Sequence, residues 1–432
     1  MHCTHLDLTD FRLYERLRLA LPPQLSVFVG DNASGKTSLL EVIYFLATTK
    51  SQRSNSDAEL INTAAVADLG APPFARLLAE VERARGELSV EIVITRDEGR
   101  EANGNGNGNG LARKRIKINK VARRAVDLIG QVNVVMFSPE DMTLITSPPA
   151  SRRRYLDITI SQIDHRYMMH LSQYNKVLLQ RNALLRQLRE RQRNPLNPAV
   201  KEELRYWDDE LAKAGAYIVL RRQDFLIRLA ALADPTHRQL MGGGPTLCLD
   251  YQSKVAPTAR TAILPELKQP RPLATPELPA MLPHATRLSG KVQDEFATQL
   301  AAITVEEARR GVSLLGPHRD DFSFTLGHDQ QAMDIATYGS RGQQRTAILA
   351  MKLAEVTLME QETGDTPILL LDDILSELDA SRRQFLLDTV QARPDQQALI
   401  TSTDLDHFTP AFLTSASLFR VEAGKVDAIE PQ

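Results

Sequence analysis

The run Gly30-Asp31-Asn32-Ala33-Ser34-Gly35-Lys36-Thr37 follows a short apolar stretch, Leu25 to Val29, and leads into Thr37 to Leu46, where apolar residues recur at helical spacing. Strand, glycine-bearing turn and helix, in that order, aim a helix N-terminus and its unpaired N–H groups at whatever the turn encloses. The run fits the pattern G-x-x-x-x-G-K-[ST], which adds a point positive charge at Lys36 and a hydroxyl at Thr37 to that cradle. The enclosed group is therefore expected to be the phosphates of ATP, held by Gly30, Asp31, Asn32, Ala33, Ser34, Gly35, Lys36 and Thr37, with the Thr37 hydroxyl available to Mg²⁺.

The matching carboxylates come near the other end of the 432-residue chain. Ile368-Leu369-Leu370-Leu371-Asp372-Asp373 is an apolar strand ending in two acids. Such a strand delivers Asp372 to the metal and leaves Asp373 where a general base orients an attacking water. The two motifs together predict one α/β nucleotide site assembled from both chain ends.

Composition bounds the rest. Lys and Arg number 52 against 54 Asp and Glu, a formal charge of −2, so no global field draws the chain to nucleic acid and any such binding needs a local patch. Cys3 and Cys248 are too few for a disulfide scaffold or a C-x-x-C metal site. No leader of basic then apolar residues begins the sequence, and no apolar run approaches the ~18 residues of a membrane span. A reduced, cytoplasmic protein of about two or three domains is expected.

Leu6 with Leu8, and Leu17 with Leu19 and Leu21, alternate with polar neighbours and predict two half-exposed strands. Leu88 to Ile94 and Arg115 to Ile118 predict two more, separated by four Asn-Gly pairs at Asn103 to Gly110, read as a flexible hairpin tip over 99–112. From about Ser161 the pattern changes. Ile163, Tyr167, Leu171, Tyr174, Leu178, Leu185 and Leu188 form one heptad-like seam; Leu204, Trp207, Leu211, Ala214, Ile218, Phe225, Leu229 and Leu232 form a returning one beyond Asn194-Pro195-Leu196-Asn197-Pro198. The expectation is an antiparallel helical hairpin with arms of about 30 residues, about 45 Å each. A Gly/Pro-rich stretch from Met241 to Ala285 holds one strand-like piece, Thr246 to Tyr251, and a helix resumes near Lys291. The domain plan is thus 1–158 with 301–432 as one α/β domain, split by a helical insertion over 159–300, the second half starting near Gly311.

Ser340-Arg341-Gly342-Gln343-Gln344 opens a predicted helix (Thr346 to Met359) shortly before the acidic strand, and Asp379, in Ser376-Glu377-Leu378-Asp379, follows it. The order G-x-x-x-x-G-K-T, S-x-G-Q, hhhhDD, S-x-L-D resembles the ABC-type P-loop ATPases, in the branch of the SMC and Rad50 heads. More narrowly it resembles the RecF family of bacterial recombination mediators. The opening Leu6-x-Leu8-x-x-x-Phe11-Arg12, the stretch Gly30 to Tyr44, and three further blocks carry that likeness: Ser138-Pro139-Glu140-Asp141, Arg152 to Asp157 and Gly316 to Phe322. It spans nearly the whole chain, apart from the Asn-Gly repeat and much of 235–300.

The resemblance implies an ATP-driven switch. Two heads dimerise face to face, and Ser340, Gly342 and Gln343 of one copy reach the nucleotide at Lys36 of the other. Asp379 lies in a loop that senses the opposite subunit, and DNA is the ligand the dimer closes on. It further implies recombinase loading at single-strand gaps, support of the SOS response, and RecR- and RecO-type mediators as partners. Arg12 and Arg53 fall near the nucleotide in related heads, though either also suits a solvated surface. Two departures lower the expected turnover: Asp373 replaces the longer Glu of many relatives, and Thr403, a donor but no acid, stands where many carry a histidine.

Arg113, Lys114, Arg115, Lys117 and Lys120 form a basic cluster, and the first helical arm carries Lys176, Arg181, Arg186, Arg189, Arg191 and Arg193. These charges suit phosphate contacts without base readout, and equally a solvated strand edge and helix face. Arg152 to Arg154 suit packing, and His318 suits a structural hydrogen bond better than catalysis. Two other functions compete: an SMC/Rad50-like tether, which lacks its long coiled coil and C-x-x-C here, and a scaffold that binds ATP without hydrolysing it. A transporter nucleotide-binding subunit is disfavoured, because its signature follows the phosphate loop far sooner.

Overall fold

The computed structural model describes residues 1–54, 56–65, 72–96, 112–255, 282–327 and 332–429, and for 282–288 only the backbone. The Asn103–Gly110 repeat lies outside the described residues. The chain forms two compact units, one of Met1–Thr143 with Ile348–Gln432, the other Leu144–Ala347.

The first unit holds two six-stranded sheets. One is antiparallel, in the order β2 (Tyr14–Ala20), β1 (His2–Phe11), β4 (Phe74–Arg83), β5 (Gly86–Arg96), β6 (Ala112–Ile118), β7 (Val121–Arg123). The expected first two strands pair with Leu6 opposite Leu19 and Leu8 opposite Leu17, so the period-two pattern turns all four leucines to one buried face. A short helix, α2 (Ala125–Leu128), then precedes β8 (Val134–Phe137).

The other sheet runs β15 (Lys425–Ile429), β14 (Ser417–Glu422), β3 (Leu25–Val29), β13 (Ala398–Ser402), β12 (Ile368–Asp372), β8. All its pairings are parallel except the edge pair of β14 with β15. Helix α1 (Lys36–Thr48) packs on β8, β12 and β13 and also on β4 of the antiparallel sheet. That explains its apolar residues on every side: a helix covered on two faces has no solvent stripe to keep polar. Because β3, β12 and β13 are parallel, their C-terminal ends open on one crevice, where ligands of such sheets bind.

The second unit contains α3 (Pro149–Ile163), α4 (His165–Glu190), α5 (Pro198–Met241) and α6 (Leu282–Arg310), with a three-stranded sheet ordered β11 (Met333–Asp334), β10 (Asp321–Leu326), β9 (Leu247–Gln252). It is wider than the expected insertion over 159–300. The reason is strand pairing: β10 bonds β9 in register, Phe322 opposite Tyr251, so the segment after Gly311 joins this unit. The hairpin arms α4 and α5 pack together, but they are unequal, at 26 and 44 residues. Ile163 ends a separate helix, because Asp164 caps α4 by accepting from Tyr167 N. The seam also shifts: Met168, Val177, Arg181 and Leu184 are buried, whereas Leu171, Leu178 and Leu232 are only partly so.

Two short helices and one long one follow: α7 (Ile335–Tyr338), α8 (Arg341–Thr363) and, after β12, α9 (Ala380–Gln391). Helix α8 begins earlier and ends later than its apolar spacing predicted. Among the described residues no helix is long and apolar enough to cross a membrane.

Candidate nucleotide site

The loop from β3 to α1 turns through Ala33 and Gly35, both with positive φ (64° and 116°). Gly35 also lies under the Tyr14 ring, whose hydroxyl donates to Gly35 O at 2.9 Å; a Cβ there would stand 2.8 Å from that oxygen. At Gly30 a Cβ would come within 2.1 Å of Val421 O, so the first loop glycine is required by close approach to β14. Lys36 Nζ donates to Gly30 O and Asp31 O at 2.5 and 2.7 Å, folding the ammonium back over its own loop. Ser34 Oγ and Ser402 Oγ are buried beside this loop without a hydrogen-bond partner, which fits a cradle built to meet an anion.

Asp372, at the end of β12, is buried, and its carboxylate is held from three sides. Thr37 Oγ1 and Thr401 Oγ1 donate to Oδ1 at 2.8 and 2.9 Å, and Arg53 Nη2 donates to Oδ2 at 3.2 Å. The chemistry of that pair fits Mg²⁺. Both groups are oxygen donors, the ligand type this ion takes, and they lie 2.8 Å apart.

Asp373 has left-handed backbone (φ 49°) and is tied by its N–H to Thr401 Oγ1 at 2.9 Å. Burial pushes its carboxyl up from the ordinary value; Asp372 pushes the same way, and Lys36 opposes them. Burial likewise lowers the Lys36 ammonium, against the attraction of Asp373, Asp372 and Asp31. An acid with a raised pKa next to a phosphate cradle is the usual setting of a proton acceptor.

Other expected residues sit less directly. Arg12 makes a two-pronged bond to Glu41 at 2.9 and 3.0 Å and bonds Ser54 Oγ at 2.6 Å, so it braces α1. Thr403 Oγ1 donates to Asp404 at 3.3 Å. Asp379 caps α9 by accepting from Arg382 N at 3.0 Å, and its side chain also pairs with the Arg382 guanidinium. Ser340, Gly342 and Gln343 lie in the second unit. Gln343 N donates to Ser340 Oγ at 3.2 Å and Ser340 N to Gln343 Oε1 at 2.8 Å, so the S-x-x-Q pattern is itself a capping box.

The basic cluster divides. Arg113, Arg115 and Lys117 share the solvent face of β6, and Lys120 is exposed in the turn after it. Lys114 points the other way, bonding Thr49 O at 2.8 Å and Asp57 at 2.9 Å with its ammonium 5.1 Å from the Phe45 ring centre. It belongs to the packing around α1, as strand alternation requires. Arg181 is not a surface charge either: it is fully buried between Asp208 and Glu307, each 2.6 Å away. Arg152 pairs with Asp321 at 2.7 Å, the packing role its place suggested.

Sequence reasoning missed Thr401 and Tyr14. A pair of hydroxyls ending an otherwise apolar strand, Thr401-Ser402, was the available signal for the first. Tyr14 gave none.

The parallel sheet with its phosphate loop, acidic strand and helical unit define a head of the ABC-type, SMC-like class of P-loop ATPases. The comparisons narrow this. The model of the RecF/RecN/SMC N-terminal domain family matches residues 2–426. Relatives named DNA replication and repair protein RecF from Chloroflexus aurantiacus and Roseiflexus castenholzii are 44% and 46% identical, over 99% and 98% of this chain and 100% and 99% of theirs. Two solved structures of the recombination mediator protein RecF of the RecFOR pathway, one with ATPrS and one with ATP, match with TM-scores of 0.77 and 0.76 at 26% identity. Each match covers 99% of this chain and 98% of the other. The chain belongs to the RecF family.

Proposed function

We propose that this chain is an ATP-switched DNA-binding protein of replication and recombinational repair. The observation that carries the reading is the 2.8 Å bond between Thr37 and Asp372, which joins the two ends of the chain in one metal-ready pair beside the phosphate loop. Lys36 leaves its loop carbonyls for the β- and γ-phosphates, Thr37 and Asp372 would hold Mg²⁺, and Asp373 accepts a proton from the attacking water. Bound there, the ion would supply charge neutralisation on the phosphates.

One copy covers the γ-phosphate from one side only. Ser340, Gly342 and Gln343 of a second copy close the other side, with Asp379 near the join. ATP thereby holds a head-to-head dimer on DNA, and slow hydrolysis by Asp373, with Thr403 as a donor, releases it. Arg113, Arg115, Lys117 and Lys120 provide phosphate contacts without base readout. Action at single-strand gaps, recombinase loading, support of the SOS response and docking of RecR- and RecO-type mediators complete the reading.

Sedimentation of the wild type and Lys36→Ala, with and without ATP and with gapped, single-stranded and duplex DNA, tests it. A wild-type dimer that forms only with ATP, and fails in the variant, is expected. A protein that stays monomeric with ATP sinks the switch.

A further inference from the structure

The segment from Asp373 to Leu378 is tied at its start to strand β13 and at its end to Arg383, which in turn bonds the loop that follows β13. At its start, Asp373 N donates to Thr401 Oγ1 at 2.9 Å. At its end, Arg383 of α9 donates through Nη2 to Leu378 O at 3.1 Å and through Nη1 to His407 Nδ1 at 2.9 Å. His407 stands in the loop that continues β13 past Thr401, between Asp404 and α10 (Pro410–Ser415). The ties form a closed ring: strand end, Asp373, the turn Ile374–Glu377, Leu378, Arg383, His407 and back to the strand.

The ring has chemical content. A guanidinium only donates, so the Nδ1 it contacts must accept, and His407 carries its proton on Nε2. Asp404 Oδ2 lies 4.0 Å from Nε2, too far for a hydrogen bond, so that N–H is not committed to it. A ring that carries its proton on Nε2 alone is neutral, so His407 acts on the turn through these ties and not by charge. The titratable or charged groups around His407 are Arg383 from α9, Asp404 from its own loop and Asp373 from the turn. Asp373 needs such support, because a non-glycine residue with φ 49° is held in an unfavourable conformation that its surroundings must impose.

We propose that Arg383 and His407 form a latch that fixes the Asp373–Leu378 turn, making His407 a positioning residue for ATP hydrolysis. This rests on the ATPase reading above. The latch touches none of Lys36, Thr37 or Asp372, so it bears on turnover and leaves nucleotide affinity alone.

The test is steady-state ATPase kinetics of His407→Ala, His407→Gln, Arg383→Ala and the Arg383/His407 double alanine variant, with direct ATP-binding titration of each. Expected for His407→Ala is a fall in kcat on the order of 10–100-fold at unchanged ATP affinity, the usual effect of misplacing a reacting group by about 1 Å. The Gln variant, whose amide oxygen accepts from Arg383, recovers most of the rate, and the double variant is no slower than either single one. The inference is overturned by a His407→Ala kcat within twofold of wild type, by a Gln variant as slow as the alanine one, or by losses that multiply in the double variant. Wild-type protein that neither binds nor hydrolyses ATP overturns both this inference and the function it rests on; an active wild type with an indifferent His407→Ala overturns this one alone.

Discussion

His318 places one ring nitrogen 2.7 Å from Tyr174 Oη and the other 3.2 Å from Ser313 O. The carbonyl only accepts, so Nε2 carries the proton and Nδ1 accepts from the tyrosine; a neutral ring satisfies both bonds. Burial pushes the pKa of His318 down to about 4, because the charged ring loses its water. Above about pH 6.5 the ring is neutral folded and unfolded, and it contributes no pH dependence. As pH falls from there toward 4 only the unfolded chain takes up the proton, and stability drops by up to roughly 3 kcal/mol. Asp208, Glu307 and Asp320, raised mainly by burial, act in the opposite sense, so the informative quantity is a difference. Denaturant titrations of the wild type and His318→Gln between pH 7 and 4 should show a shallower acid loss in the variant. Parallel curves would remove the histidine from the account. Adjacent Gly316 follows the same packing: at φ 131° a Cβ would stand 2.2 Å from Tyr174 Oη, so this glycine is fixed by both backbone and space.

In the helical hairpin, α4 buries a charge. Arg181 donates to Asp208, Glu307 and Ser313, joining α4, α5 and α6 through one side chain. Replacing it with Met leaves two carboxylates buried without their cation, a loss of about 3–5 kcal/mol. The exposed Arg186→Met, five residues on, should cost under about 0.5 kcal/mol. Chemical denaturation of both checks this, and equal midpoints would refute the buried network. On strand β6 the same alternation gives a second contrast. Reversing Arg113, Arg115 and Lys117 should weaken DNA binding and reduce its salt dependence, whereas Lys114→Ala should cost stability and leave binding unchanged. Fluorescence anisotropy at several salt concentrations separates the two; weaker binding in Lys114→Ala alone would reverse the assignment. These cases mark what could be read in the sequence. The phosphate loop, the acidic strand and the four leucines of β1 and β2 were legible because each is a local pattern with one geometric reading. Lys114 and Arg181 were not, since a basic residue in a basic run looks exposed until its partners, Asp57 and Glu307, arrive from distant segments. The reach of the second unit was hidden for a similar reason: β9 and β10 pair across an intervening helix, and no local period announces that partner.

At the scale of the whole molecule, the proposed composite site makes a prediction that a self-contained site does not. Lys36 and Ser340 fall in different compact units of the chain. In a two-fold, face-to-face dimer each nucleotide takes Lys36 from one copy and Ser340 from the other. Lys36→Ala and Ser340→Arg should therefore each abolish ATP hydrolysis alone. When the two variants are mixed, a heterodimer contains one site in which both residues are altered and one in which both are intact. With random pairing, half the dimers are mixed and half their sites are sound, so activity should return to roughly a quarter of wild type, as isologous symmetry dictates. A site complete within one chain would gain nothing from mixing, since neither variant could lend the other a part. ATPase assays of the two variants, separately and at equal concentrations above the dimerisation constant, decide the matter. Activity in the mixture no higher than in the separate proteins would place the whole site in one copy.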